Sequence, residues 1–298
     1  MAAYNEAAHL GEVIATMPAF VDRIVIVDDA STDATAEVVR AAADGRVTYI
    51  RHETNCGAGA AKISAHRAGV ESGADIMVTM DGDGQMDPAY LAALLDPVVD
   101  DGYDFAKGNR FYATDSWKGM PRHRVFGNVV LTFMTKAATG YWNLFDPQNG
   151  YTAMTREVSS KIDWEAVAHD YSFENDVLAH LGLLRARIKD VDIPAVYGNE
   201  VSHIKLSRAV PSIVRTLDRA LWQRFWLQYV VRSFSPVALF IVAGWVLLLW
   251  SLITGTYFIV TAFGHIATGP IMVVVIPFMI GVQLELAGLV LDILNAPS

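Results

Sequence analysis

"ADIMVTMDGDGQMDP" runs from Ala74 to Pro88. An apolar run ends there on three carboxylates, Asp81, Asp83 and Asp87, set among two glycines and a glutamine. A short continuous apolar run is the pattern of a strand covered on both faces. "RIVIVDD" (Arg23–Asp29) and "VTYIRH" (Val47–His52) share it. Helical patterns lie between these runs. Leu10, Val13, Ile14 and Met17 fall at i, i+3, i+4 and i+7. "STDATAEVVRAAADG" opens on cap-type residues at Ser31 and closes on Gly45. "GAGAAKISAHRAGVESG", from Gly57, is a Gly/Ala-rich helix start. Strand–helix alternation predicts an α/β domain with a largely parallel sheet.

Carboxylates at the carboxyl end of a parallel strand stand where such sheets place ligands. In a tight turn, Gly82 lets Asp81 and Asp83 face one point. Two hard oxygen ligands suit Mg²⁺ or Mn²⁺, which leave other positions for water and substrate phosphates. A cation there offsets the charge that develops as a diphosphate leaves. A D-x-D triplet alone also fits a solvated turn, so its surroundings matter. Asp28 and Asp29 end another apolar run. Asp28 suits a base N–H and Asp29 a ribose hydroxyl, with plain helix capping as the alternative. Tyr4, Asn5 and Glu6 stand directly before the first helix. Three polar clusters at three strand ends are expected to line one crevice.

The chain has 298 residues with a net charge of −9, which argues against nucleic acid as a partner. Cys56 is the single cysteine, so no internal disulfide forms. Met1–Phe20 lacks the basic start and apolar core of a cleavable leader. Apolar residues make up 53%, and the mean hydropathy is +0.29. The excess is local. Between Arg232 and Glu285 there is no Asp, Glu, Lys or Arg, a stretch of about 50 residues where one span takes about 20. Two membrane spans are expected, from Phe234 to roughly Phe258 and from Gly269 to roughly Leu291, joined by a turn at "FGHIATGP".

Residues 203–232 carry Lys205, Arg208, Arg215, Arg219, Arg224 and Arg232 against Asp218, with Trp222, Phe225, Trp226 and Tyr229 interleaved. This pattern suits a helix in the headgroup layer. The alternative is an ordinary amphipathic helix packed on the sheet domain. The cations place this side of the membrane in the cytoplasm. The expected division is 1–202, 203–232 and 233–298.

"AYNEA" at Ala3–Ala7, "VDDASTDAT" at Val27–Thr35, "NCGAGAA" at Asn55–Ala61 and "MDGDGQMDP" at Met80–Pro88 together resemble family 2 glycosyltransferases, of the Rossmann-like GT-A fold, in order and spacing. "KGNRF", "DPQNGYTAM", "FEND", "IPAVYGNEVSHIK" and the C-terminal hairpin are similar to the membrane-anchored branch that includes dolichyl-phosphate mannose synthase and bacterial polyprenyl-phosphate glycosyltransferases.

The resemblance implies an integral membrane enzyme with a cytoplasmic catalytic domain. It implies inverting transfer of a hexose from a UDP- or GDP-linked donor to polyprenyl phosphate, with Mg²⁺ or Mn²⁺, and leaves room for a homo-oligomer. By the same resemblance Ala3, Tyr4, Glu6 and Asp28 contact the nucleoside. Asp81 and Asp83 hold metal and diphosphate, with Gln85 near the donor sugar or the metal. Arg110 and Arg124 hold phosphate, Gln148 sits near the sugar, and Asp176 is the catalytic carboxylate in preference to Glu174. The family normally has a complete apolar strand before "AYNE", whereas Met1 and Ala2 alone precede Ala3. A central strand is therefore expected to lack most of its length.

Two other functions stay open. One is an enzyme that extends a lipid-linked saccharide through a sugar hydroxyl, and the other is a non-catalytic membrane scaffold. A hydroxyl acceptor needs a general base. A phosphate monoester, with a second pKa near ~6, is already ionised and needs cations. Arg110, Arg122, Arg124, Lys205 and Arg208 are candidates for that task.

Overall fold

The structure, a computed structural model, describes residues 1–110, 122–194, 206–261 and 268–297, with the side chains of 122–126 and 206–208 outside the description. The expected alternation is present. β1 (Ala2–Ala3), α1 (Leu10–Ala15), β2 (Ile24–Asp28), α2 (Thr35–Ala41), β3 (Val47–Arg51), α3 (Ala58–Glu71) and β4 (Ile76–Thr79) form the first half. α4 (Leu91–Val99), β5 (Phe105–Asn109), α5 (Arg122–Thr139), β6 (Thr152–Thr155), α6 (Arg156–Ser159), α7 (Phe173–Leu184) and β7 (Ile188–Asp192) follow.

The strands pair in the orders β3–β2–β1 and β4–β6–β5–β7. An isolated parallel bridge, Ala2 to Asp81, joins the two sets. All pairings are parallel except those of β6, which runs antiparallel to β4 and β5. Leu10, Ile14, Ile26, Leu91 and Leu94 are buried in one core on this sheet. Leu10 and Ile14 come from the helical periodicity of α1 and Ile26 from the apolar β2 run.

α2 ends earlier than its composition suggests. It stops at Ala41, and Ala43 takes the left-handed conformation at φ 48°. The Arg46 guanidinium ties the following turn down by donating to the Pro18 carbonyl at 2.7 Å and to Asp44 at 2.8 Å. A side chain thus does the work that Gly45 was expected to do.

β1, Ala2–Ala3, lies between β2 and the end of β4. Below it, β2 and β4 part around a cavity of about 520 Å³ lined by Met1, Ile24, Val25, His66, Met77 and Leu91, among others. His66 stacks on Trp164, with ring centroids 4.6 Å apart. Its Nε2 lies 3.0 Å from the Thr79 hydroxyl. Burial, with the Met1 ammonium and Lys62 nearby, pushes the imidazole down from 6.5 to about 3. The unfolded imidazole takes its proton near 6.5 and the folded one near 3, so the unfolded state binds more protons between these values. Stability will therefore fall as pH drops through that window, by on the order of 5 kcal/mol in total. Thermal melts in a pH series should show this acid limb flattened in His66→Gln.

By its contacts the chain divides into Met1–Leu221 and Trp222–Ala296. Most of α8 (Leu206–Arg224) belongs to the first unit. Its Ile213, Leu217 and Ala220 pack with Ala138 of α5 and Ala179 of α7. This face follows the alternative of an amphipathic helix packed on the sheet domain. Trp222 and Trp226, further along, are exposed.

The second unit holds a π-helical turn (Phe225–Val231), α9 (Pro236–Thr261) and α10 (Thr268–Leu294). α9 and α10 are each long and apolar enough to cross a membrane, and both expected spans fall on them. The expected turn lies largely outside the described residues. Glycines let the two helices approach closely, as is common between membrane helices. A Cβ on Gly244 would lie 3.1 Å from the Gly281 carbonyl oxygen. Arg224, Tyr229 and Asp292 form a buried, mutually hydrogen-bonded cluster within this unit.

Candidate active site

The acidic turn sits where β4 ends beside β1. The Gly82 amide donates to the Ala2 carbonyl at 3.0 Å. A Cβ on Gly82 would come within 3.3 Å of that oxygen and of Leu10. Gly82 is therefore needed for close approach to β1, while Gly84, at φ 78°, makes the left-handed bend. Asp83 accepts from the Gln85 amide at 3.0 Å, which closes the turn. Asp83 is half-buried and Gln85 is exposed.

Lys62 of α3 reaches the same place. Its ammonium lies 3.0 Å from Asp81 Oδ1 and 2.8 Å from Glu174 Oε1. Lys62 is buried, whereas the Asp81 side chain keeps 31% of its surface open. Burial alone would lower the lysine, but Asp81 and Glu174 outweigh it and hold the ammonium above the usual lysine range. The turn thus offers hard carboxylate oxygens, and it already holds one positive charge. The carboxylate oxygens of Asp81 and Asp83 fit a site for Mg²⁺ or Mn²⁺, which would share Asp81 with the ammonium.

Gly150, from "DPQNGYTAM", closes this cluster from the β6 side. A Cβ there would stand 3.0 Å from Lys62 Nζ, 3.3 Å from Glu174 Oε1 and 3.4 Å from Asp81 Oδ2. Gly150→Ala should therefore crowd the ammonium and its two carboxylates and shift them by a few tenths of an ångström. We expect turnover to fall about tenfold or more, a barrier change of about 1.4 kcal/mol, with a far-UV spectrum unchanged from the parent.

The polar clusters after β1 and β2 interlock. The Asn5 amide donates to Ser31 Oγ at 2.9 Å, and Asn5 Oδ1 accepts from the Thr32 amide at 2.8 Å. The Asp29 amide donates to the Ala3 carbonyl at 2.9 Å. The Glu6 amide donates to Thr35 Oγ1 at 3.0 Å. Asn5 and Ala30 both take left-handed φ values, 59° and 61°. For an alanine this conformation costs about 1 kcal/mol. Tyr4 is exposed at this rim and Ala3 is buried.

Asp28 is fully buried rather than open to a nucleobase. Its Oδ1 accepts from the Ser31 amide at 2.7 Å, and its Oδ2 accepts from Tyr49 and, at 3.0 Å, from Arg51. Burial alone would raise this carboxyl, but these donors hold it below the usual range. Asp29 likewise receives the amides of Cys56 at 2.9 Å and Gly57 at 2.7 Å, and it pairs with His52 at 2.7 Å. The two aspartates therefore brace the strand end and the loop that opens α3. Asp29, His52 and Cys56 present ligand atoms within 4.8 Å of one another, a geometry able to hold a metal ion. Cys56 is exposed.

Arg110 forms a two-pronged pair with the buried Asp146, at 2.7 and 2.9 Å. The Arg124 side chain lies outside the described residues, as do those of Arg122, Lys205 and Arg208. Gln148 is exposed and donates to Asn175 Oδ1 at 3.2 Å.

Asp176 lies apart from the acidic turn's hydrogen bonds. It is buried, accepts from the Ala168 amide at 2.8 Å, and pairs with Arg219 of α8 at 3.1 Å. This pins the segment ending at His169, whose carbonyl oxygen would lie 2.8 Å from a Cβ on Gly57 and 2.7 Å from one on Gly59. Glu174, two residues earlier, is the carboxylate that joins Asp81 through Lys62. Sequence reasoning passed over Lys62. Its signal was a lone cation in the Gly/Ala-rich start of α3, one turn after the glycines that let α3 pack closely.

The profile of the family described as Glycosyl transferase family 2 matches residues 1–163. The chain is 29% identical over 210 residues to the UDP-N-acetylglucosamine–dolichyl-phosphate N-acetylglucosaminyltransferase of Methanococcus voltae, covering 65% of this chain and 83% of that protein. It is 31% identical over 208 residues to the undecaprenyl-phosphate mannosyltransferase of Micrococcus luteus, covering 67% of this chain and 84% of that one. Among solved structures, the glucosyl-3-phosphoglycerate synthase of Mycobacterium tuberculosis, in complex with Mn²⁺, UDP-glucose and phosphoglyceric acid, has the same fold, with a TM-score of 0.58 at 20% identity over 74% of this chain and 78% of that one. The chain belongs to glycosyltransferase family 2 and is a glycosyltransferase of the GT-A fold.

Proposed function

We propose that the enzyme moves a hexose from a nucleotide-diphosphate sugar to polyprenyl phosphate, on the cytoplasmic face of a membrane. The observation that carries this is a strand-end carboxylate pair, Asp81 and Asp83, in one chain with two helices apolar enough to span a bilayer. The named relatives that act on dolichyl or undecaprenyl phosphate support it. So do the basic residues ahead of α9, which favour the cytoplasmic side.

The donor's nucleoside would lie over the ends of β1 and β2, beside Tyr4, Glu6 and the loop braced by Asp29. Its diphosphate would lie at Asp81, Asp83 and Gln85. A Mg²⁺ or Mn²⁺ bound there supplies charge compensation for the departing diphosphate. An acceptor phosphate oxygen attacks the anomeric carbon, the bond from that carbon to the diphosphate oxygen breaks, and the nucleoside diphosphate leaves with inversion. The attacking oxygen is already ionised, so no base is required. Arg110, whose side chain is partly exposed, would hold phosphate by charge-assisted hydrogen bonds while it stays paired with the buried Asp146.

Membranes containing the chain should be given labelled UDP- and GDP-sugars with polyprenyl phosphate. The expected product is an acid-labile lipid monophosphate sugar, with the nucleoside diphosphate released. Release of nucleoside monophosphate, or product only with a lipid-linked saccharide, would overturn the proposal. Asp176→Asn adds a second discriminator. It swaps a buried carboxylate for an amide, which should cost about 1–3 kcal/mol of stability and leave most turnover. Near-complete loss of turnover in a folded protein would instead favour a general base and a hydroxyl acceptor.

A further inference from the structure

We infer that Lys62 is a resident counter-ion of the acidic turn, and that it makes loading of the divalent cation depend on the nucleotide's diphosphate. This rests on Asp81 and Asp83 as the cation pair. Lys62 Nζ sits 3.0 Å from Asp81 Oδ1 and 2.8 Å from Glu174 Oε1. The lysine side chain is 5% exposed, so it has no ready retreat into solvent. A Cβ on Gly150, on the near side, would crowd Lys62, Glu174 and Asp81 together. The ammonium is therefore held in a fitted seat.

A cation on Asp81 at the 2.0–2.1 Å typical of Mg²⁺ would stand a few ångströms from that ammonium. The two positive charges repel, and Asp81 is shared between them. Lys62 cancels one of the three negative charges that Asp81, Asp83 and Glu174 bring, which lowers the attraction for a divalent ion. A diphosphate changes this balance. It brings its own anionic oxygens, which satisfy the divalent ion and the ammonium together. Lys62 thus weakens metal binding to the empty site and becomes neutral or favourable once the diphosphate is present. The order that follows is nucleotide with metal, rather than metal first. Glu174 takes part as the anchor that keeps Lys62 in place when Asp81 turns to the metal.

The test is Mn²⁺ binding, followed by electron paramagnetic resonance on the detergent-solubilised full chain, with and without UDP or GDP and with no acceptor or sugar transfer. Lys62→Gln should bind Mn²⁺ about tenfold more tightly than the parent without nucleotide. With the nucleoside diphosphate present the two should agree within about threefold. Lys62→Arg should behave as the parent. Unchanged or weaker nucleotide-free binding in Lys62→Gln would overturn the inference. So would equal tightening in both states, which is the signature of mere charge removal. If Lys62→Gln fails to fold, Glu174→Gln serves. It leaves Lys62 leaning wholly on Asp81, so nucleotide-free Mn²⁺ binding should weaken, and unchanged or tighter binding would overturn the inference. Mn²⁺ binding with nucleotide in the parent keeps the cation pair standing whichever way these variants fall. No binding in any state would remove both.

Discussion

Asp83→Ala will reduce sugar transfer by a factor of about 10³ or more, because the charge of the departing diphosphate would lose its compensation. Asp83 is the cleaner probe of the pair. It is half-buried in a turn, and its carboxylate closes that turn on the Gln85 amide. Asp81 also neutralises the buried Lys62, so Asp81→Ala would leave a buried ammonium on Glu174 alone and mix a folding defect with a catalytic one. The thermal transition of Asp83→Ala should stay within a few degrees of the parent, and insertion of α9 and α10 should be unchanged. Excess chelator should inhibit the parent to a similar extent. Full activity in chelator would remove the metal from the reaction.

The elements legible in the sequence are those set by local pattern. The runs ending at Asp28 and Asp81 are continuous and apolar, and they became β2 and β4 in a mostly parallel sheet. The charge-free stretch after Arg232 became two long helices because no polar face was available to it. The strand-end polar clusters were visible as clusters, but side-chain oxygens next to helix starts also cap backbone amides, and Asp28 and Asp29 do this in the structure. What stayed hidden depends on long-range contact. Asp176 and Glu174 sit two apart on α7, and sequence alone does not say which one turns to the cleft. The answer comes from Lys62, more than a hundred positions earlier, and from Arg219 on α8. Asp28 looked like a ligand for the base. It is consumed instead by Tyr49 and Arg51 on the neighbouring strand β3, a pairing fixed by register rather than by spacing. Arg110 looked like a free phosphate clamp, and its partner Asp146 lies beyond α5. In each case a charged group found an internal partner, because leaving it buried and unpaired would cost several kcal/mol.

A designed apolar strand fused ahead of Met1 should raise the melting temperature by about 10 °C or more. The register of β1 shows where it would run. Ala2 faces Val27 on β2 and, through an isolated bridge, Asp81 just past the end of β4, both in parallel. Continuing backwards, the added residues would pass between Ile24–Val25 on one side and Ile76–Thr79 on the other, at about 3.3 Å per residue. These strands line the cavity of about 520 Å³ together with Leu91 and Met77, so about five residues of the Val/Ile type fit its length and character. Fully burying each apolar side chain contributes about 1.5–3 kcal/mol before its ordering entropy is subtracted. A net gain of several kcal/mol corresponds to the shift above, at about 2–4 °C per kcal/mol for a domain of this size. The fusion has a second signature. In the chain that begins at Met1, burial pushes the terminal amine down from 8.0 to about 6. Between these values the unfolded state binds more protons, so stability rises with pH from about 6 to 8. Converting the amine to an amide should erase that slope, worth about 2–3 kcal/mol. Melts of the parent and the fusion at pH 6 and pH 8 read both effects. A fusion that melts with the parent and keeps its pH slope would show that the gap between β2 and β4 does not accept a strand.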